Sequence, residues 1–292
     1  MKRIATKLAS IILALALLGG LAATAAQAVT YGPGTKLVVL GDSIPWGEGA
    51  TDRLAQGCAP LLAADMGFEL ENLAKPGHKS TDLLAILADE EKQQIISQAD
   101  IITLNIGGND LLASNVITLV LRLLVLGDTT IVDEYIEEFQ ARFAQIVEEV
   151  RALNPDALFI VQTLYNCMGG VPLVGGAYEV ALLKLNQVYI DYEKAHPGVY
   201  KIADVFGAFQ FREGLVFSDR LHPSDDGHEM IARVLKAAIE NEALGLEPAV
   251  DPAPGFFKQV VIFFRALVDY LGYWLSVYSP LELLQKAIGF IV

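Results

Sequence analysis

Residues 36–49 read KLVVLGDSIPWGEG. After Lys36 the run Leu37–Leu40 is wholly aliphatic, the composition of a strand buried on both faces. It breaks off at Gly41-Asp42-Ser43. A serine in that place has two readings. It caps the next helix while Asp42 forms a turn, or it is a nucleophile held on a tight turn that Gly41 permits. The stretch by itself leaves both open.

Comparable runs recur at Phe68–Leu73, Asp100–Ile106, Ala157–Thr163 and Val199–Val205. Between them the apolar residues follow a helical period. Thr130–Leu153 is the clearest case, with Ile131, Tyr135, Phe139, Phe143, Ile146 and Val150 on one face and Asn154-Pro155 as its stop. A last helix is expected from about Ser224 to Leu244. Strand alternating with helix predicts βαβ units. The expected fold is α/β: a three-layer α/β/α sandwich, flavodoxin-like, around a five-stranded, mainly parallel sheet. Such sheets bind ligands beyond the carboxyl ends of their strands, so chemistry is to be sought just after each run.

The flanks read differently. Residues 1–28 have the layout of a secretory signal peptide: basic Lys2, Arg3 and Lys7, an apolar core from Ile11 to Leu18, and Ala26-Gln27-Ala28 as a cleavage site. The main domain is expected over 29–246. Residues 247–255 form a Pro-rich linker, and 256–292 an apolar C-terminal helical tail. In Phe256–Tyr278 the polar positions Lys258, Arg265, Asp269, Gly272 and Ser276 fall on one narrow stripe of an amphipathic helix. Spanning a bilayer would place Arg265 and Asp269 near its centre, at ~2.5–3.5 kcal/mol each. A membrane surface or a protein partner is the expected contact. The chain is thus expected to be exported, and possible cell-surface association rests on this tail.

Composition narrows the partners. The formal net charge is −14, and removal of the leader makes it three more negative. That surface repels phosphate backbones, which excludes nucleic acid as an expected partner. Cys58 and Cys167 are allowed to bridge in an exported chain, but the sequence leaves their pairing open. Neither they nor the four histidines are spaced as a metal site.

Read in order, the strand ends supply an ester-cleaving constellation. Ser43 is the candidate nucleophile. His222, with Asp219 three residues before it and Pro223 after it, is the candidate base, its ring oriented by the Asp219 carboxylate. Gly77 can offer a backbone N–H to a developing oxyanion, Asn109 its side-chain amide, and Ser43 its own amide. Gly41, Asp42, Gly107 and Asp110 are read as turn and structural residues. Each piece alone has a plain alternative as a cap, turn or loop. Their order, one at each strand end, favours the catalytic reading.

With Gly41-Asp42-Ser43, Gly77, Gly107-x-Asn109-Asp110 and Asp219-x-x-His222-Pro223 in this order, the chain resembles the SGNH or GDSL hydrolases over roughly residues 35–245. The resemblance implies a Ser43–His222–Asp219 triad, an oxyanion hole of Ser43, Gly77 and Asn109, and hydrolysis of an ester substrate through an acyl-enzyme, without metal or cofactor. Ser43 is followed by Ile44-Pro45-Trp46 rather than by leucine, a departure from the pattern. Trp46 and His78 are candidates for the substrate mouth, with plain packing and a solvated loop as their alternatives. Met168 belongs to a Gly-rich loop, Asn166–Gly176, expected on the same rim. Leu111–Leu126 reads as a buried helix or as an apolar wall beside the site.

Overall fold

The five apolar runs form five strands: β1 (Lys36–Gly41), β2 (Glu69–Asn72), β3 (Ile101–Asn105), β4 (Leu158–Gln162) and β5 (Lys201–Ala203). Ten helices accompany them in the described residues: α1 (Ser43–Trp46), α2 (Arg53–Gln56), α3 (Cys58–Met66), α4 (Ser80–Leu87), α5 (Glu90–Ser97), α6 (Gly108–Leu112), α7 (Thr130–Leu153), α8 (Val174–Ala195), α9 (Val205–Phe209) and α10 (Asp225–Glu240). The computed structural model describes residues 30–112, 130–169 and 174–246. The leader, most of Leu111–Leu126, part of the Gly-rich loop, the linker and the tail lie outside the described residues.

All strand pairings are parallel, and the order is β2-β1-β3-β4-β5. The chain steps from β1 outward to β2, then returns to place β3 on the other side of β1. That reversal opens a crevice at the carboxyl ends of β1 and β3. Gly41 is in register with Asn105 there, so the segments carrying Ser43 and Asn109 leave the sheet side by side. The central strand β3 is buried at every position, whereas β2 alternates exposed and half-buried residues. Glu69 and Glu71 on that edge place charge where an unpaired strand would otherwise recruit another.

Helices cover both faces. Phe139, Phe143, Ile146, Val147 and Val150 form the buried stripe of α7. Phe143 packs on Tyr189 of α8 with ring centroids 4.9 Å apart, and on Tyr200 at 5.9 Å. Each such buried side chain contributes roughly 1.5–3 kcal/mol through burial. Asn154 ends α7 and is itself buried: its Nδ2 donates to Ile96 O and Ala99 O, and its Oδ1 accepts the Ala157 amide. On the opposite face α3 packs against α10. That last helix is shorter than its apolar pattern suggests. Asn241, at φ +56°, ends it in the left-handed conformation, and the Glu242 amide returns to Ala237 O. Asparagine tolerates that conformation better than most residues.

Candidate active site

Asp42, not Ser43, caps α1. Its Oδ1 accepts the Ile44 amide at 3.0 Å, and Ser43 is the first helical residue, which leaves the serine hydroxyl available for another partner. Gly41 has no substitute in this turn. Its φ is +145°, and a Cβ there would stand 2.2 Å from the Asn105 carbonyl oxygen. The Asp42 carboxyl, 2% exposed, is pushed up to about 7 by burial, against the opposing pull of the Ile44 amide and of charge on His222.

His222 and Asp219 sit in a turn closed by the antiparallel bridge Val216–Pro223, where the Phe217 amide donates to His222 O at 2.8 Å. From the end of β4, Tyr165 Oη donates to Leu221 O at 2.7 Å and fixes the turn from the sheet side. Inside it, His222 Nδ1 lies 2.6 Å from Asp219 Oδ2, and Nε2 lies 3.0 Å from Ser43 Oγ. Asp219 Oδ1 accepts the amides of Leu221 and His222 at 2.9 and 3.0 Å. Burial alone would raise this carboxyl. The hydrogen bond and charge of His222, joined by the two amides, outweigh it and hold the group below its ordinary range. The anionic Asp219 Oδ2 facing Nδ1 can only accept a hydrogen bond, so Nδ1 carries the hydrogen and the Nε2 lone pair is turned toward Ser43.

Gly77 lies in the loop after β2 at φ +81°. Among the described residues its amide donates to none. Two bonds place this loop between its neighbours: Lys75 N donates to Gly41 O at 3.2 Å, and Asn109 Nδ2 donates to His78 O at 3.0 Å. The second hydrogen of that Asn109 amide stays available. Gly107, at φ +108°, lies under Phe139 and Tyr189, which leave no space for a Cβ. Asp110 reaches across to Ser80 and accepts both its amide and its hydroxyl.

Ser43, His222, Asn109 and Asp42 line a cleft of about 30 Å³ with Leu164, Tyr165, Cys167, Tyr178 and Leu221. Tyr165 stands two residues after the fourth apolar run, and that position at the rim was its only signal in the sequence. Tyr178, within α8, had none. The three mouth candidates lie elsewhere among the described residues. Trp46 packs under Arg53, whose guanidinium carbon is 4.1 Å from the ring centre. His78 is half-buried in the β2–α4 loop, and Met168 is buried; none of the three lines this cleft.

Cys58 and Cys167 are both free and buried. Cys58 Sγ faces Ile44 O at 3.7 Å, and burial pushes both thiols up to about 12. Neither is a nucleophile at neutral pH. His228 is buried on α10, where its Nδ1 accepts the Cys58 amide at 3.2 Å and its Nε2–H donates to Glu48 O at 2.9 Å. Among the described residues no three His, Cys, Asp or Glu side chains converge as a metal-binding group.

Comparison with known proteins identifies the family. A family model described as the GDSL-like Lipase/Acylhydrolase family matches residues 39–230. The chain is 28% identical over 228 residues to the uncharacterized protein YpmR of Bacillus subtilis strain 168, covering 72% of this chain and 84% of that protein. It is 28% identical over 209 residues to the spore germination lipase LipC of Bacillus licheniformis, covering 68% and 93%. Two solved structures share the fold. The lipase Lip_vut3 from a goat rumen metagenome has a TM-score of 0.57 at 24% identity, covering 72% of this chain and 99% of that one. The extracellular lipase of Streptomyces rimosus has a TM-score of 0.55 at 22% identity, covering 70% and 99%. With the family match spanning well over half of its length, the chain belongs to the GDSL-like lipase/acylhydrolase family and is a hydrolase of ester bonds.

Proposed function

We propose that this enzyme cleaves carboxylic esters, acyl or acetyl, through an acyl-enzyme on Ser43, with His222 as general base and Asp219 as the group that orients it. The hydrogen-bonded row from Asp219 through His222 to Ser43 carries the reading. His222 Nε2 takes the Ser43 proton as Oγ attacks the ester carbonyl, and Asp219 stabilises the imidazolium that results. The oxyanion is received by the amides of Ser43 and Gly77 and by Asn109 Nδ2. When the tetrahedral adduct collapses, His222 returns its proton to the leaving alcohol. Water, deprotonated in turn by His222, then releases the acid and restores Ser43. None of these steps draws on a metal or cofactor.

Export rests on the leader at residues 1–28, and contact with a membrane surface or protein partner rests on the apolar tail at 256–292. The relative named as a lipase supports lipid acyl esters. A second reading within the same chemistry is removal of acetyl groups from a glycan. A chain-length series of p-nitrophenyl esters beside an acetylated sugar separates the two. Ser43→Ala is the control: it should lower turnover at least about a thousandfold with the fold intact. Turnover equal to the parent's would remove the assignment, and so would failure of a fluorophosphonate to label Ser43.

A further inference from the structure

The loop between β2 and α4, which carries Gly77, is fastened at both ends. On the β1 side Asn72 Nδ2 donates to Pro45 O at 2.9 Å, and Lys75 N donates to Gly41 O at 3.2 Å. On the α6 side Asn109 Nδ2 donates to His78 O at 3.0 Å, while Ser80 gives two bonds to one carboxylate. Its amide donates to Asp110 Oδ2 at 2.9 Å, and its Oγ donates to Asp110 Oδ1 at 2.5 Å. The two groups read as oxyanion donors, the Gly77 amide and Asn109 Nδ2, therefore lie on segments that the Ser80–Asp110 contact clips together.

A third residue completes that clip from a distant part of the chain. Arg142, midway along α7, donates through Nε to Ser80 Oγ at 2.7 Å, and its Nη2 lies 3.6 Å from Asp110 Oδ1. Nη1 is held by Glu138 Oε2 at 3.3 Å, one helical turn back. Ser80 is fully buried and the Asp110 side chain is 8% exposed. The hydroxyl is engaged in both senses, accepting from the guanidinium and donating to the carboxylate. Without Arg142, Ser80 Oγ keeps one bond and turns freely about it. The Asp110 carboxylate, which already opposes Asp42 electrostatically, loses its facing cation.

We propose that Arg142 is a positioning residue for the oxyanion hole, holding the Gly77 and Asn109 segments at fixed separation through Ser80 and Asp110. The proposal rests on the donor roles assigned to Gly77 and Asn109 above. Oxyanion donors act only within a few tenths of an ångström of the developing charge, and a misplacement of about 1 Å costs about a hundredfold. A clip remote from the substrate should therefore act on the chemical step and leave binding nearly unchanged.

The test uses the full chain with Arg142→Ala, Arg142→Lys, Ser80→Ala and Asn109→Ala. It reads kcat and KM on p-nitrophenyl acetate, with a thermal melt for each variant. Arg142→Ala should lower kcat about tenfold or more with KM within about twofold. Arg142→Lys and Ser80→Ala should lose less, and these two carry the test should Arg142→Ala fail to fold. Arg142 borders an open recess of about 370 Å³ with Lys79 and Tyr135, so millimolar methylguanidinium should restore part of the kcat of Arg142→Ala and leave Asn109→Ala unmoved. In the double variant Arg142→Ala/Asn109→Ala the two losses should fall well short of multiplying, because the loop is already loosened. Unchanged kcat in the Arg142 variants, or full multiplication in the double variant, overturns the proposal. If Asn109→Ala alone is silent, the donor assignment falls and this proposal with it. A crippled Asn109→Ala beside a silent Arg142→Ala removes only the role of Arg142.

Discussion

Asp42→Asn separates the chemistry of the nucleophile turn from its stability. In the folded chain the Asp42 carboxyl is 2% exposed, and burial lifts it from an ordinary 3.8 to about 7. The sign follows from which state holds the proton. Between these two values the folded protein keeps a proton that the unfolded chain has released, so stability is full below the lower value and is lost as pH rises through the upper one. At about 1.4 kcal/mol for each pH unit, the gap from 3.8 to about 7 amounts to about 4 kcal/mol. Asparagine cannot titrate, and its side-chain oxygen can still accept the Ile44 amide that Asp42 holds at 3.0 Å.

Near pH 4 the parent and Asp42→Asn should therefore unfold at similar denaturant concentrations. By about pH 8 the variant should be the more stable by up to about 4 kcal/mol, roughly 10 °C in Tm for a domain of this size. Urea titrations of both proteins at several pH values measure the difference, in which the titrating groups not coupled to Asp42 cancel. Parallel stability curves over the whole range would refute the reasoning, because they would mean that the burial of Asp42 carries no electrostatic cost. Under the proposed mechanism the same variant should lose activity, since a carboxylate beside His222 would favour the imidazolium formed during attack. A gain in stability with a loss in kcat identifies Asp42 as a group kept for function at the expense of the fold.

Other perturbations address separate parts of the chain. Gly41→Ala places a Cβ 2.2 Å from the Asn105 carbonyl at φ +145°, and should cost about 3 kcal/mol or more in chemical denaturation. Near-parental stability would show that the turn yields where the packing says it cannot. Burial holds the His228 imidazole below its ordinary 6.5, against the Glu48 carbonyl and Asp225, with His222 reinforcing the shift. Its contribution is full above 6.5 and drains away as pH falls. His228→Gln should flatten the acid limb of the melting profile, and an unchanged limb would count against this. Deletion of the residues after 250 should abolish co-sedimentation with lipid vesicles and spare turnover of a soluble ester. Unchanged partitioning would remove the interfacial reading of the tail.

The inner strands were legible because a parallel sheet covered on both faces demands unbroken apolar runs, and Leu37–Leu40 or Ile101–Leu104 have few other uses. The carboxyl end of α7 was legible for a related reason: its buried stripe runs on to Val150, and Asn154 ends it with hydrogen bonds to Ile96 and Ala99. The end of α10 was not, because Ala243 and Leu244 continue an apolar pattern while the stop depends on the backbone angle of Asn241. At the site, Ser43, Asp219 and His222 could be read because each follows a strand or precedes a helix within a short motif. Trp46 was a poor guide, since an aromatic near a nucleophile serves an arginine as readily as a substrate.

What the motifs do not contain is the relation between them. Gly77 and Asn109 are separate words in the sequence, yet the oxyanion hole proposed for them is a distance between them, set largely by groups outside both motifs. Asn72 and Lys75 fix one end of the Gly77 loop to the nucleophile turn, and Ser80 and Asp110 fix the other to the Asn109 segment. Arg142 reaches this junction from a helix 62 residues beyond Ser80, where its periodic position marks it only as a polar residue beside a buried stripe. Four motifs at one rim thus name the atoms proposed to react. The separations that let those atoms act together are set by side chains whose partners become visible only once the sheet has brought the strand ends into register.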